Sequence, residues 1–288
     1  MRLCLDIGGM SVKAAVFSGT KIVYRKNVVY GKIIDNVELL KIINNLITEI
    51  TSLYREISDI GISSPGVIDV ATTQVHGFAA ITNINKINYR RDLNTDLPIF
   101  VENDAYAVGQ SQIAFNKKIR DKTALIFIIG SGLGGAMIIN NKIHKGATSL
   151  GGNFGFIVHN LDLKNPRIGN TTSTTTVLIK NYLEKTGTHL TGKEIVEGYY
   201  EDEAKKNAVN DFIDELAINV LTANAIAAAD IVLLGGGISQ SKLILELLTK
   251  KLDNCLNLVG EPYTRKFKVE QCLYAQDANL YGALVLKE

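Results

Sequence analysis

Three glycine clusters, each directly behind an apolar run, constrain this chain more than any other feature. They are Asp6-Ile7-Gly8-Gly9, Gly130-Ser131-Gly132-Leu133-Gly134-Gly135 and Gly235-Gly236-Gly237. The second fits the Gly-x-Gly-x-x-Gly spacing of dinucleotide sites. That use requires a helix after the glycines, so that the helix N-terminus faces the pyrophosphate. Here "AMIINNKIH" follows the second cluster and "VKAAVF" the first, and both are rich in strand formers. Strand–turn–strand units suit another solution, in which backbone N–H groups of two hairpins cradle phosphates from opposite sides. Taken singly, each cluster is also satisfied by a tight turn needing positive φ. Three clusters behind three strands, one of them opening with an acid, shift the balance towards phosphate. Asp6 at such a loop either holds Mg2+ through water or caps the turn. Lys13 either faces the phosphates or lies on the exposed side of its strand.

The remaining pattern is α/β. "RLCLDIGG", "VKAAVFS" and "KIVYRKNVVY" read as a three-strand meander. Residues 36–57 form a predicted amphipathic helix, with Leu39, Ile42, Ile43, Leu46, Ile50, Leu53 and Ile57 at helical spacing. "DIGISSPGVID" is a buried strand ending at a Pro-Gly turn. "PIFV" is a short strand running into Glu102, and "AYAVGQSQIAF" is helical. "TALIFIIG" opens a second run of strands, with Asn140-Asn141 as its second turn, and long helices flank "DIVLLGGGIS". Two related α/β lobes are expected, divided near residues 116–122. They cover residues 1–116 and 117–276, with a C-terminal helix over 277–288 joining the first.

Composition closes off several classes. The 288 residues carry 31 basic and 29 acidic side chains, a net charge of +2, too balanced for a nucleic-acid face or a polybasic membrane patch. The longest apolar tract, "ALIFIIGSGLGGAMII", is too short and too broken by glycine to span a bilayer. "MRLCLDIGG" runs straight into a strand, so no signal peptide is expected and the location is cytoplasmic. Cys4, Cys255 and Cys272 are far apart, which fits reduced thiols and no thiolate zinc site. His76, His144, His159 and His189 are dispersed, and surface or strand positions are expected for them.

The stretch "FVENDAYAV" places Glu102, Asn103 and Asp104 where a strand hands over to a helix. Asp104 is therefore either a helix cap or a base. With "DIGGMSVKAAVF", "SSPGVID", "IIGSGLGGAMIINNKIHKG", "LGGNFGF", "IVLLGGGIS" and "DANLYGAL", this stretch resembles the ROK family of the hexokinase–actin superfamily, in the family's order and over nearly the whole chain. The resemblance implies a two-lobed, ribonuclease H-like fold with the active site in the interlobe cleft. It implies a kinase that uses ATP and Mg2+ to phosphorylate a sugar hydroxyl, commonly as a homodimer. By that resemblance Asp104 matches the general base and Asn103 a sugar-binding asparagine. Gly66 lines the sugar pocket through its backbone, and Asn83 either bonds the sugar or is an ordinary loop asparagine. Asp6, Gly8, Gly9, Met10, Ser11, Lys13, Gly130, Ser131 and Gly132 match the phosphate-binding turns, and Gly235 and Gly236 let adenosine approach the backbone. The family's repressors carry a helix-turn-helix domain before the first strand; none precedes it here, so DNA binding is not expected.

The chain departs from the family pattern at several positions. Met10 stands where a threonine is common, exchanging a hydroxyl for a thioether and implying weaker ATP affinity unless Ser11 compensates. Asn153 replaces a glutamate that accepts hydrogen bonds from sugar hydroxyls, which implies an altered sugar preference or weaker binding. Phe156 replaces a histidine and is expected to pack in the core, the alternative being to stack on a sugar face. The cysteine-rich zinc loop is absent from residues 160–176, as in members resembling β-glucoside kinases, implying no structural zinc. The leading expectation is transfer of the γ-phosphoryl group to a hydroxyl, the 6-hydroxyl first, of a hexose or small glucoside. Met10 and Asn153 motivate the alternative of a weak or inactive sugar or nucleotide sensor, and an NAD enzyme built on residues 130–135 is the third reading.

Overall fold

The computed structural model describes residues 1–31, 33–77, 79–162, 164–260 and 267–287. The chain divides into two compact units. The first holds Met1–Asn116, Ala147–Leu150 and the segment from Asp277, and the second holds Lys117–Gly146 and Gly151–Gln276.

The first unit opens with the meander β1 (Arg2–Ile7), β2 (Ser11–Ser18) and β3 (Lys21–Val29). There follow α1 (Asn36–Leu53), β4 (Asp59–Ser64), β5 (Val67–Asp69), β6 (Gln74–His76), α2 (Tyr89–Asp92), β7 (Ile99–Asn103) and α3 (Asp104–Phe115). The main sheet has the order β3-β2-β1-β4-β7, antiparallel through the meander and parallel from β1 to β7. Position in the sheet explains the sequences. β1 is central and buried almost throughout, whereas the edge strand β3 alternates exposed and half-buried positions. Asp35 caps α1 by accepting from the Glu38 N–H at 2.9 Å, and Leu39, Ile43, Leu46, Ile47 and Ile50 face the core. The helix stops at Leu53, four residues short of the predicted end. Leu53 is exposed, while Ile57 is buried beyond the helix. Tyr54 leaves helical geometry, and Ser58 N–H bonds Met1 O at 2.9 Å as the chain lines up for β4. Pairing within the sheet, which is non-local, overrides the helical period there.

The second unit runs β8 (Ala124–Ile129), β9 (Leu133–Ile139), β10 (Lys142–Ile143), α4 (Gly169–Thr172), α5 (Thr175–Thr186), α6 (Gly192–Glu197), α7 (Glu203–Ala227), β11 (Ile231–Gly235), α8 (Lys242–Val259) and β12 (Lys268–Gln271). Its sheet, β10-β9-β8-β11-β12, again joins an antiparallel hairpin side to a parallel side. Asn140 and Asn141 take φ of 52° and 58°, the left-handed pair that a two-residue hairpin turn requires. The core sets Leu125, Phe127, Val232 and Leu234 against Phe212, Leu216 and Val220 of α7 and Leu248 of α8.

The last helix, α9 (Ala278–Val285), belongs to the first unit. It lies so close to its neighbours that only glycine fits at two contacts. A Cβ on Gly61 of β4 would stand 2.1 Å from Ala283 O, and one on Gly282 would stand 2.1 Å from Ala107 O. Cys4, Ala15 and Phe17 complete this contact with Leu280 and Ala283. Gly282→Ala is therefore expected to destabilise the chain by about 1–3 kcal/mol through overpacking, read as a lower urea midpoint at unchanged slope.

Candidate active site

In the first unit, the turn between β1 and β2 is closed by Gly8 N–H donating to Ser11 O at 2.9 Å. Tyr30 holds it from outside: its N–H donates to Met10 O at 3.1 Å, and its hydroxyl donates to Gly8 O. Met10 is 51% exposed, so its thioether is not spent on the core. Asp6 and Lys13 are cross-strand partners, with Lys13 Nζ 3.3 Å from Asp6 Oδ2. Burial pushes the Asp6 carboxyl above its ordinary range, while Lys13 pulls it back and the Asp277 charge raises it further. Ser63, the parallel partner of Asp6 on β4, faces the same carboxylate and favours its ionised form.

The junction of β7 and α3 divides its labour between two residues. Asn103, not Asp104, is the N-cap: its Oδ1 accepts from Ala105 N–H at 3.0 Å and Tyr106 N–H at 3.2 Å. Its Nδ2 donates to Gly66 O at 2.9 Å, tying the Pro-Gly turn to the start of the helix. Gly66 has φ of +96°, and a Cβ there would lie 2.7 Å from Val75 Cγ1, so the turn requires glycine. Asp104 is the first helical residue. Burial pushes its carboxyl up to about 6, and the Asp6 charge adds to the rise. Ala105 N–H and the Asn103 side chain lower it. Asn279 of α9 donates to Ser63 Oγ at 2.9 Å and to Asp104 O at 3.2 Å. Nothing in the sequence marks Ser63, Tyr30 or Asn279, and for Asn279 in "DANLYGAL" the reason is distance: its partners lie about 175–215 positions away. Asn83 lies apart from this cluster of bonds, on an exposed loop in left-handed geometry before a short 3-10 turn.

In the second unit, Gly130, Ser131 and Gly132 join β8 to β9, with Ser131 and Gly132 exposed. A strand follows these glycines, so the helix that an NAD site needs is missing. Gly130 N–H donates to Gly132 O at 2.9 Å, and Gly130 O accepts from Thr175 N–H at 2.9 Å. Within the three clusters only Gly236 takes a positive φ, +90°, and a Cβ there would meet Ile129 O at 2.1 Å. A turn needing positive φ therefore does not account for the first two clusters. A Cβ on Gly8 or Gly130 would meet nothing nearer than 3.4 Å and 3.9 Å respectively. Gly235 is crowded instead, its Cβ position lying 2.6 Å from Ile128 Cδ1.

Asn153 precedes the 3-10 turn Phe154–Phe156 and makes no side-chain cap bond. Phe154 is the residue that fills the core, stacked on Phe127 at 4.4 Å between ring centroids, while Phe156 is 62% exposed. The expectation of a core Phe156 is thus corrected. Two phenylalanines two apart in a 3-10 turn point to different sides, and the inner place is taken by Phe154. The surface expectation for His159 is corrected as well. Its side chain is fully buried, with Nδ1 2.6 Å from Glu215 Oε2, and Arg167 binds the other oxygen of that carboxylate. His159 sits where the chain pairs with itself, its N–H donating to Arg167 O at 2.7 Å.

Two sheets of like order, each with a glycine turn between antiparallel strands, give a two-domain α/β fold of the hexokinase–actin class. The ROK family profile matches residues 2–288. The chain is 30% identical to an N-acetyl-D-glucosamine kinase of Histophilus somni (strain 129Pt), covering 91% of this chain and 92% of that one. A ROK family protein from Streptococcus pneumoniae TIGR4, solved in complex with sucrose, is 28% identical with a TM-score of 0.85, covering 99% of this chain and 96% of its own. A ROK glucokinase from Streptomyces griseus, solved with glucose and AMPPNP, shares the fold at a TM-score of 0.85 and 20% identity, over 98% of this chain and 97% of its own. The chain belongs to the ROK family and is one of its carbohydrate kinases.

The raised carboxyl of Asp104 has a consequence for stability. Below the unfolded pKa, about 4, the group is protonated in both states and costs nothing. As pH rises towards about 6, the folded state holds the proton more tightly than the unfolded chain does, so stability is lost over that window. Asp104→Asn is expected to melt at higher temperature than the parent at pH 8, with the gap closing by pH 4. Thermal scans at both pH values check this.

Proposed function

We propose that the chain transfers the γ-phosphoryl group of ATP to a hydroxyl, the 6-hydroxyl first, of a hexose such as N-acetylglucosamine or glucose, or of a small glucoside. The observation that carries this reading is the division of labour at β7–α3. Asn103 Oδ1 accepts two N–H groups of the helix start and Asp104 Oδ1 shares one of them, from Ala105 at 2.8 Å, while burial raises the Asp104 carboxyl to about 6. A base of that strength is ionised at neutral pH yet able to take a hydroxyl proton as the phosphoryl group arrives. Asn103 holds Gly66 O against the helix start, which supports Gly66 and Asn103 as parts of the sugar pocket, with Asn83 and Asn153 as further polar contacts.

For the nucleotide, Gly8 and Gly130 are the supporting positions. Nothing inside the chain forces glycine there, whereas a phosphate that must come close to the backbone does. Gly9, Met10, Ser11, Lys13, Ser131 and Gly132 complete the two phosphate turns, and Gly235 and Gly236 the adenosine side. Asp6 fits a hard cation through its carboxylate oxygens beside the first turn, with the Ser63 hydroxyl facing them, and Lys13 Nζ, 3.3 Å from Oδ2, would have to yield that oxygen to the ion. Mg2+ held there would neutralise charge on the transferred group. Among the described residues no helix is long and apolar enough to cross a membrane. The reading carries with it a cytoplasmic location and, from the family resemblance, a homodimer.

Purified protein with Mg-ATP and a sugar panel is expected to release ADP with at least one of these acceptors, followed by a coupled assay. Asp104→Asn should lower kcat by about a hundredfold to ten-thousandfold. In the parent, kcat/KM should fall as pH drops below about 6 and Asp104 takes up a proton. Full activity in Asp104→Asn would remove that residue as the base. Met10→Thr restores a hydroxyl at the first turn and is expected to lower the KM for ATP, with the sugar KM unchanged.

A further inference from the structure

Asn279, in the first turn of α9, directs its NH2 group into the first unit's site. Nδ2 donates to Asp104 O at 3.2 Å and to Ser63 Oγ at 2.9 Å. A carbonyl can only accept, so the bond to Asp104 O fixes which end of the amide faces inward. The Ser63 oxygen is therefore met by a donor, and the hydroxyl must point its own hydrogen elsewhere. Ser63 is fully buried, where that hydrogen needs an acceptor. The acceptor it meets is the carboxylate of Asp6, its parallel partner on β1. Donation thus runs from Asn279 to Ser63 to Asp6, and Lys13 Nζ, 3.3 Å from Oδ2, holds the same carboxylate.

Other groups keep α9 in place. At its C-terminal end the Arg2 guanidinium donates to Leu284 O and Leu286 O at 2.7 Å each, and to Ala283 O at 3.3 Å. Just before its start, Arg25 forks onto Asp277 at 2.7 Å and 2.9 Å. Between these ends the close contacts at Gly61 and Gly282 seat the helix on β4 and α3. The Asn279 amide adds little to that docking. What it does fix is the direction of one buried hydroxyl beside an acid that the proposed reaction uses.

We propose that Asn279 is a positioning residue of the kinase site. By donating to the Ser63 oxygen it commits the Ser63 hydroxyl to Asp6, and so holds the Asp6 carboxylate ready for the cation of a Mg2+-nucleotide. This rests on the reading of Asp6 as the cation's ligand. Leucine is close to asparagine in size but donates nothing, so Asn279→Leu removes the two bonds and leaves the Ser63 hydroxyl with no fixed direction.

The experiment is isothermal titration of the full chain and its variants with AMPPNP, once with Mg2+ and once with EDTA. Asn279→Leu is expected to weaken Mg-AMPPNP binding by about fivefold to tenfold, with metal-free AMPPNP binding unchanged and a melting temperature close to the parent's. Ser63→Ala should give the same loss, and the double variant no more than either single one, because both changes act through one hydroxyl. A merely structural Asn279 would lower the melting temperature and weaken both forms of the ligand alike. Parent-like Mg-AMPPNP affinity in Asn279→Leu overturns the proposal. Equal losses with and without Mg2+, or losses that add in the double variant, do the same. Should Asn279→Leu unfold, Asn279→Ala carries the same comparison. The titration needs no turnover, so a parent that binds Mg-AMPPNP yet phosphorylates no sugar sinks the kinase reading alone. A parent that binds AMPPNP equally with and without Mg2+ sinks this inference and leaves the nucleotide reading standing.

Discussion

One side chain organises the first unit's site. Asn103 accepts two N–H groups of α3 through Oδ1 and gives a hydrogen to Gly66 O through Nδ2. The helix start, the end of the central parallel strands and the Pro-Gly turn are thereby fixed to one amide. Everything asked of Asp104 follows from this. Asn103 carries the main share of the cap, and Asp104 Oδ1 adds one bond of its own, accepting from Ala105 N–H at 2.8 Å. Half-buried and under the charge of Asp6, it keeps a proton affinity above an ordinary aspartate's. The cost is a carboxylate that destabilises the fold where it is ionised.

The two sheets repeat one plan, a hairpin side and a parallel side, and in each the glycine turn sits between the first two strands of its unit. This is the feature that separates the chain from dinucleotide-binding folds, where the same glycine spacing opens a helix. The turns are buttressed differently. Tyr30 grips the first through a backbone and a hydroxyl bond, and Asn170 and Thr175 grip the second. A loop that must bring N–H groups to a ligand without reorganising needs such outside support, because glycine contributes no side chain to hold it.

Residues 160–176 carry no cysteine, and polar bonds tie the described part of this segment to α7. His159 and Arg167 both bind Glu215 of α7, and Thr172, Ser173 and Asn219 continue the network inward. Met10 and Phe156 stand exposed, so the changes at these two positions alter what a ligand would meet rather than how the core packs.

The sequence by itself determined the alternation of elements, the meander, the two hairpins, the glycine turns between strands and the strand-to-helix switch at Asn103–Asp104. Each of these is written in a period of two or of 3.6, or in a turn residue whose backbone preference is local. Tertiary structure alone decided that Asn103 rather than Asp104 caps α3, that α1 ends at Leu53, and that Phe154 rather than Phe156 enters the core. It alone recruited Ser63 and Asn279 to the candidate site. Those outcomes turn on which neighbour occupies a space or answers a donor across the fold, and no window of adjacent residues contains that neighbour.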